Sequence, residues 1–291
     1  MKSGMNGGFG EFESGNKSGF DFRLNERDIE NFRRESVINL GKVFSDEEMK
    51  SVQESFDGVC ADPNHIDVIT ESGSGIVRSV MGWENANPLL AHFATDIRIL
   101  GAVQSIIGED VVFHQTKYNP KAPSGAGEKW DPHRGITFWH YLDGVPDPTK
   151  IVSIFIAVTD QTKENGATYT WKRAHHMSMD DLRDETDFSN RQDGDNSSDT
   201  GAYLSLQIKP EKIAEYDRKF EKIYLEGPAG TAWILDSRNL HASQPNLSNK
   251  VRVLVANVYR SVDNHPIHPR DNINLCNTGC TPIKPAKGEF A

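Results

Sequence analysis

The sequence predicts an α+β fold that is mainly β, with an antiparallel core of sandwich or jelly-roll type and flanking helices. Helical patterns occupy the first third of the chain. From Val111 onward, segments rich in β-branched and aromatic residues alternate with turn signals such as ENG and GPAG. Helices followed by many strands are typical of this class, because antiparallel strands can be joined by short turns.

The N-terminal third contains three predicted helical regions. Residues 26–35 form a polar helix and are followed by a strand-like segment, VINLGKV. Ser45 is a suitable N-cap for the next helix, and Glu48 stands three residues later, as in a capping box. Residues 86–107 carry apolar side chains every three or four positions, which predicts a further helical region that ends at Gly108.

Five later segments predict the strands of the core: VVFHQTKY, IVSIFIAVT, GATYTW, AGTAWILDS and KVRVLVANVY. Residues 177–221 interrupt them with an acidic first half and a helical second half. A long insertion between core strands is either a solvated surface loop or a lid over a site, and we expect a lid. Residues 1–20 are rich in Gly and Ser and predict a flexible tail, which leaves 21–291 as a single domain.

Charge and composition limit the classes of partner. The net charge of −10 argues against binding of a nucleic acid polymer, although an anionic small molecule remains compatible with a local basic pocket. No apolar run approaches the roughly 18 residues that a membrane helix requires. The three cysteines, without a signal sequence, predict free thiols and a cytoplasmic location.

Two histidines stand out by their context. His133 lies in WDPHRGITFWHYLDG, and His241 follows a hydrophobic strand. Jelly rolls present such residues at the mouth of the barrel, and neutral imidazole is a natural ligand for Fe(II). We therefore expect both residues to bind a metal.

Four segments resemble, in order, the motifs of the phytanoyl-CoA dioxygenase family, which includes ectoine hydroxylases and amino-acid hydroxylases. They are HQTKYN, the segment that begins at His133, DQTKENGATYTWKRAHH, and the segment from His241 to Arg252. The resemblance covers most of the chain. It implies a cupin-like double-stranded β-helix, iron held by His133 and His241, and the use of 2-oxoglutarate and O2.

The last motif predicts a carboxylate site. Arg252 follows His241 by eleven residues and lies in an apolar strand, where its charge requires a partner. A guanidinium group matches a carboxylate in geometry, so we assign Arg252 to the distal carboxylate of 2-oxoglutarate. The resemblance adds Ser243, Asn119 and Gln115 as further contacts of this co-substrate.

One position departs from the family pattern. The hydroxylases carry Asp or Glu two residues after the first histidine, whereas this chain has Gly135. The motif is here similar to that of the Fe(II)- and 2-oxoglutarate-dependent halogenases, which have Gly or Ala at this place and bind chloride or bromide directly on iron. Gly135 therefore favours a halogenase. The alternatives are a hydroxylase with an unusual metal triad, in which Asp131 or Asp143 could serve as a ligand, and a non-catalytic binding protein.

Four residues are candidates for contact with the substrate. Arg78 and Arg134 could each bind an anionic group, or could instead pair with acidic residues. Phe138 and Trp139 are expected to line the pocket. No segment resembles a docking surface for a carrier protein, so the expected substrate is a freestanding small molecule such as an amino acid, a nucleotide or an alkaloid-like compound.

Overall fold

The elements of the chain follow the predicted order. A computed structural model describes residues 22–61, 67–71, 74–127, 129–175, 178–189, 206–288 and 290; the predicted tail at 1–20 lies outside them. The helices within this part are α1 Glu26–Glu35, α2 Asp46–Ala61, α3 Pro88–Ala94, α4 Ile97–Ile107, α5 Gly135–Tyr141, α6 Met179–Glu185 and α7 Pro210–Lys219. The strands are β1 Val37–Lys42, β2 Asp67–Thr70, β3 Val77–Met81, β4 Val111–Lys121, β5 Trp130–His133, β6 Ile151–Ala157, β7 Thr168–Trp171, β8 Thr186–Asp187, β9 Gln207–Ile208, β10 Lys222–Tyr224, β11 Thr231–Asp236, β12 His241–Ser243 and β13 Arg252–Ser261.

The described strands form two principal antiparallel sheets. The larger has the order β1-β11-β6-β13-β4-β3-β2, and the smaller has the order β10-β7-β12-β5. Strands β8 and β9 form a separate pair within the 177–221 segment. Residues from both principal sheets line one pocket, as in a jelly roll. The predicted α+β fold with an antiparallel core is therefore confirmed.

The central strands of the larger sheet are buried on both faces. Along β13, Val253 and Val255 pack into the main apolar core, together with α2, α3 and α4. The alternate residues, among them Arg252 and Leu254, line the pocket between the sheets. This division follows from the two-residue period of a strand. The alternation explains how a mainly apolar strand can place the Arg252 cation in the pocket.

The N-terminal helices begin and end at the expected residues, with one exception. Ser45 and Glu48 form the predicted reciprocal cap, since each backbone N–H donates to the other's side chain. Gly108 adopts the left-handed conformation at the end of α4. The single helical region expected at 86–107 is two helices, because Asp96 leaves the helical conformation and caps α4 by accepting from the Arg98 N–H.

The insertion at 177–221 is described in part. It contains α6 and α7, and α7 agrees with the helix expected in its second half. Residues 177 and 190–205 lie outside the described part, and the role of the segment as a lid stays a prediction. The division into a tail and a single domain also stays a prediction. Among the described helices, none is long and apolar enough to span a membrane.

Candidate active site

The two predicted metal ligands face each other across adjacent strands. His133 is the last residue of β5 and His241 is the first residue of β12, and the two are direct partners in the antiparallel register. Their ring centroids are 4.3 Å apart. This pairing brings together two residues that are far apart in sequence, and both line the pocket.

Both imidazoles have the protonation state that a metal ligand requires. Nδ1 of His133 lies 2.7 Å from the Asp131 carbonyl oxygen, and Nδ1 of His241 lies 3.3 Å from that of Asn239. Donation from Nδ1 leaves the lone pair on Nε2. Burial lowers the pKa of His133 to about 4. Burial and the nearby His133 hold the pKa of His241 well below its usual range. The donor set therefore fits a divalent metal ion.

The third ligand of the usual triad has no replacement in the described part of the chain. The Asp131 carboxylate turns outward and pairs with Lys129 at 2.8 Å. Asp143 is buried, where it accepts from Arg270 at 2.6 Å and lies 3.1 Å from Nε2 of His114. Both carboxylates proposed as alternatives are thus engaged elsewhere.

The space beside Gly135 is occupied by an aromatic side chain. Gly135 is the first residue of α5, and Trp139 stands one helical turn later. A Cβ atom on Gly135 would lie 2.4 Å from Cη2 of the Trp139 indole and 2.8 Å from its Cζ3. These separations are far below a normal carbon contact. Glycine is therefore needed here because the indole packs against the backbone.

The predicted carboxylate site lies at one end of the pocket. Arg252 is buried, and its guanidinium donates to the Gly166 carbonyl oxygen at 2.6 Å, while its Nε has no hydrogen-bond partner. Ser243 is also buried, lines the same pocket and accepts a hydrogen bond from Lys121 at 2.7 Å. Arg252 and Ser243 thus line one pocket, and their role in binding 2-oxoglutarate stays a prediction.

Strand β4 adds polar side chains along the same wall. Gln115, Lys117 and Asn119 alternate along the strand and all line the pocket. The Gln115 amide donates to the Leu275 carbonyl oxygen, and the Asn119 carbonyl accepts from the Ser79 hydroxyl. The structure therefore brings both predicted co-substrate residues to the pocket.

Two of the four predicted substrate residues line the pocket and two do not. Phe138 and Trp139 are in the lining, whereas Arg78 and Arg134 are absent from it. The expectation for these arginines needs correction, because each is buried in an ion pair. Arg78 pairs with Glu71 at 2.7 Å, and Arg134 pairs with Glu185 of the insertion. An unpaired charge at such a depth would be costly.

Three basic residues in or beside the site were missed by sequence reasoning, namely Lys117, Lys121 and Arg270. Arg270 lines the pocket and pairs with Asp143. It belongs to a C-terminal segment without strand or helix pattern, so no sequence signal pointed to it. Lys121 could have been found, because it continues the alternation of Gln115 and Asn119 along β4.

The chain is similar to curated hydroxylases and dioxygenases. It is 26% identical to the L-proline trans-4-hydroxylase of Streptomyces griseoviridis over 259 residues, covering 89% of this chain and 94% of that protein. It is also 26% identical to the ectoine dioxygenase of Bordetella bronchiseptica over 256 residues, covering 86% of this chain and 80% of that protein.

Solved structures support the fold. The structure of EctD from S. alaskensis with 2-oxoglutarate and 5-hydroxyectoine superimposes with a TM-score of 0.77 at 22% identity, covering 92% of this chain and 89% of that one. The α-ketoglutarate-dependent carbocyclase SnoK from nogalamycin biosynthesis superimposes with a TM-score of 0.65 at 16% identity, covering 92% of this chain and 95% of that one. The predicted jelly-roll fold is confirmed.

The halogenase prediction made from Gly135 is wrong. The curated relatives reported above are hydroxylases and dioxygenases, which favours the hydroxylase alternative. The physical premise also fails, because the Trp139 indole fills the space beside Gly135. Nothing supports the predicted chloride or bromide, which depended on that function.

The family itself is identified by a match over most of the chain. The family described as Phytanoyl-CoA dioxygenase (PhyH) matches residues 32–254, which include both histidines, Gly135 and Arg252. The resemblance read from the motifs is confirmed, and so is the prediction of a non-haem dioxygenase. The chain belongs to the phytanoyl-CoA dioxygenase family.

Proposed function

We propose that this protein is an Fe(II)- and 2-oxoglutarate-dependent hydroxylase of a small metabolite, with a metal site built on two histidines. One feature supports this function above all others. Two half-buried, neutral imidazoles lie opposite each other on paired strands, with ring centroids 4.3 Å apart, in a pocket that also contains the buried Arg252. The family membership and the named activities of the relatives support the same function.

Each side chain has a defined task in this proposal. His133 and His241 hold the metal through Nε2, while their Nδ1–H groups fix the ring orientation through backbone carbonyls. Arg252 and Ser243 bind the distal carboxylate of 2-oxoglutarate, and Asn119 and Gln115 form the adjoining wall. Bound iron supplies the chemistry that couples oxidative decarboxylation of 2-oxoglutarate to transfer of one oxygen atom into a C–H bond.

The charge of the pocket lining favours anionic ligands, and 2-oxoglutarate is one of them. Its lining includes Lys117, Arg252 and Arg270 and no aspartate or glutamate among the described residues. Phe138 and Trp139 provide an apolar wall that keeps water from the reacting carbon and orients it. A freestanding small molecule fits this pocket better than a carrier-bound group or a nucleic acid polymer.

A product screen tests the proposal. The enzyme is incubated with Fe(II), 2-oxoglutarate and O2 over a set of amino acids, other small carboxylates and nucleotides, with mass spectrometry of products and succinate. We expect one compound to gain a single oxygen atom with stoichiometric succinate, equally with and without chloride. The His241→Ala variant serves as the inactive control. Absence of 2-oxoglutarate consumption with every compound, or a product without added oxygen, would contradict the proposal.

A further inference from the structure

A buried guanidinium stands immediately after the first predicted metal ligand. Arg134 follows His133 at the end of β5, has an exposed fraction of 0%, and lies outside the pocket lining. A fully buried arginine must place most of its N–H donors on acceptors, because an unsatisfied charge at that depth is costly. The partners of Arg134 therefore show which parts of the fold it holds together.

Two of its partners are backbone carbonyls next to the strands of the metal site. Nη1 of Arg134 donates to the carbonyl oxygen of Ala174 at 2.6 Å and to that of Arg238. Ala174 lies just after the end of β7, and Arg238 precedes His241, the first residue of β12, by three residues. In the smaller sheet β12 lies between β7 and β5. One guanidinium thus joins the ends of three neighbouring strands, two of which carry the histidines.

The remaining contacts of Arg134 are with the insertion. Its Nε and Nη2 donate to the two carboxylate oxygens of Glu185, the last residue of α6. Tyr216 of α7 donates its hydroxyl to the same carboxylate at 2.7 Å, and the tyrosine ring centroid lies 4.9 Å from the guanidinium carbon. A planar guanidinium can make this bidentate pair and the carbonyl contacts at once, whereas an ammonium cannot. Both α6 and α7 are thereby connected to the strands that carry the histidines.

The two strands that carry the histidines are short. β5 has four residues and β12 has three, and their register shifts between His241 and Ser243. Strands of this length make few ladder hydrogen bonds, so their pairing alone fixes the two rings weakly. Since the described part of the chain offers no carboxylate ligand, the metal depends on two imidazoles that are already in place. A contact that holds both strand ends therefore bears directly on metal binding.

We propose that Arg134 is a positioning residue of the metal site: it holds the ends of β5 and β12 at the spacing that His133 and His241 require, and its pair with Glu185 makes that spacing depend on the insertion. This inference rests on the proposed function, which supplies the metal. Because a coupling free energy between two sites is reciprocal, metal binding should in turn stabilise α6 and α7.

Hydrogen exchange tests the coupling to the insertion without turnover. Addition of Mn(II) to the wild-type protein should slow exchange of the backbone amides in α6 and α7. Helix α2, which packs in the main apolar core, serves as the reference in which exchange should not change. The slowing should shrink in Glu185→Gln and persist in Glu215→Gln, whose carboxylate lies in an exposed pair on α7. Equal exchange in α6 and α7 of the wild type with and without Mn(II) would overturn the coupling.

Titration calorimetry with Mn(II) separates positioning from a merely structural role. Arg134→Met alone leaves the Glu185 charge buried and unpaired, whereas Arg134→Met/Glu185→Met removes both charges and should be more stable than the single variant in urea unfolding. The double variant still lacks the contacts with the carbonyls of Ala174 and Arg238. We therefore expect it to bind Mn(II) about 10- to 100-fold more weakly than the wild type. Arg134→Lys keeps the charge but not the planar fork, and its affinity for Mn(II) should also fall.

The failures of the two proposals are distinguishable. If the wild-type protein does not bind Mn(II), the proposed function fails. If the wild type binds Mn(II), and the double variant is folded by circular dichroism and binds it equally tightly, only the positioning role of Arg134 is overturned. If the double variant does not fold, the comparison uses Arg134→Lys, and wild-type affinity for Mn(II) in that variant would overturn the role in the same way.

Discussion

The contact between Gly135 and Trp139 leads to a prediction about stability. A Cβ atom at position 135 would lie 2.4, 2.8 and 2.9 Å from three carbons of the Trp139 indole. A relaxed carbon contact is about 3.5–4.0 Å, so the ring or the start of α5 must move by about 1 Å. Overpacking of this kind typically costs about 1–3 kcal/mol. We expect Gly135→Ala to lower the free energy of unfolding by that amount.

Urea unfolding of the metal-free protein measures this cost, with Gly58→Ala as a matched control. Gly58 lies in α2 and has open space around its Cβ position, so alanine there should stabilise by about 0.5–1 kcal/mol. In a Trp139→Leu background the cost of Gly135→Ala should vanish, which gives a coupling energy of about 1–3 kcal/mol. An equal cost in both backgrounds would refute the contact. If the coupling energy is observed, an aspartate introduced at position 135 can reach the metal only when Trp139 is also replaced by a smaller residue.

Three further predictions concern charged or titratable residues in the pocket and in the structure that surrounds it. Arg252→Ala should weaken binding of 2-oxoglutarate to the Mn(II)-loaded protein by about 2–5 kcal/mol in calorimetry, with little change in Mn(II) affinity; unchanged co-substrate binding would remove Arg252 from this role. Glu185→Gln should lower the free energy of unfolding by about 3–5 kcal/mol, because it leaves the buried Arg134 charge without its partner. Glu215→Gln, in an exposed pair, should have no measurable effect, and equal effects would show that the buried pair is unimportant. The metal-free protein should also lose stability as the pH falls from about 6.5 toward 4, by about 1.4 kcal/mol per unit for each of these two imidazoles. The lowered pKa values of His133 and His241 mean that the unfolded chain takes up protons first. His241→Gln should reduce that slope in pH-dependent urea unfolding, and an unchanged slope would contradict the neutral state of His241.

The sequence predicted the long central strands well and the short strands of the site poorly. Strands β6 and β13 are predominantly apolar, because both of their faces are buried. Strands β5 and β12 have only four and three residues, and nothing local marks them. Their register brings His133 opposite His241, and this non-local pairing was inferred from the context of the two histidines and from the family motif.

The charged residues show a second limit of sequence reasoning. Arg252 was assigned to the pocket because its strand is apolar, and the fold places it there. Arg78 was a weaker case, since a sequence cannot reveal that Glu71 is its buried partner. Gly135 was misread for a related reason. The absence of a ligand side chain predicted empty space, whereas the fold fills that space with the indole four residues later.

A crystal structure of the anaerobic complex with Fe(II) and 2-oxoglutarate tests the central claim most directly. We expect exactly two protein ligands, Nε2 of His133 and Nε2 of His241, at about 2.0–2.2 Å from the metal. The distal carboxylate of 2-oxoglutarate should contact Arg252 and Ser243. A carboxylate ligand from Asp131 or Asp143, or 2-oxoglutarate bound away from Arg252, would contradict the account.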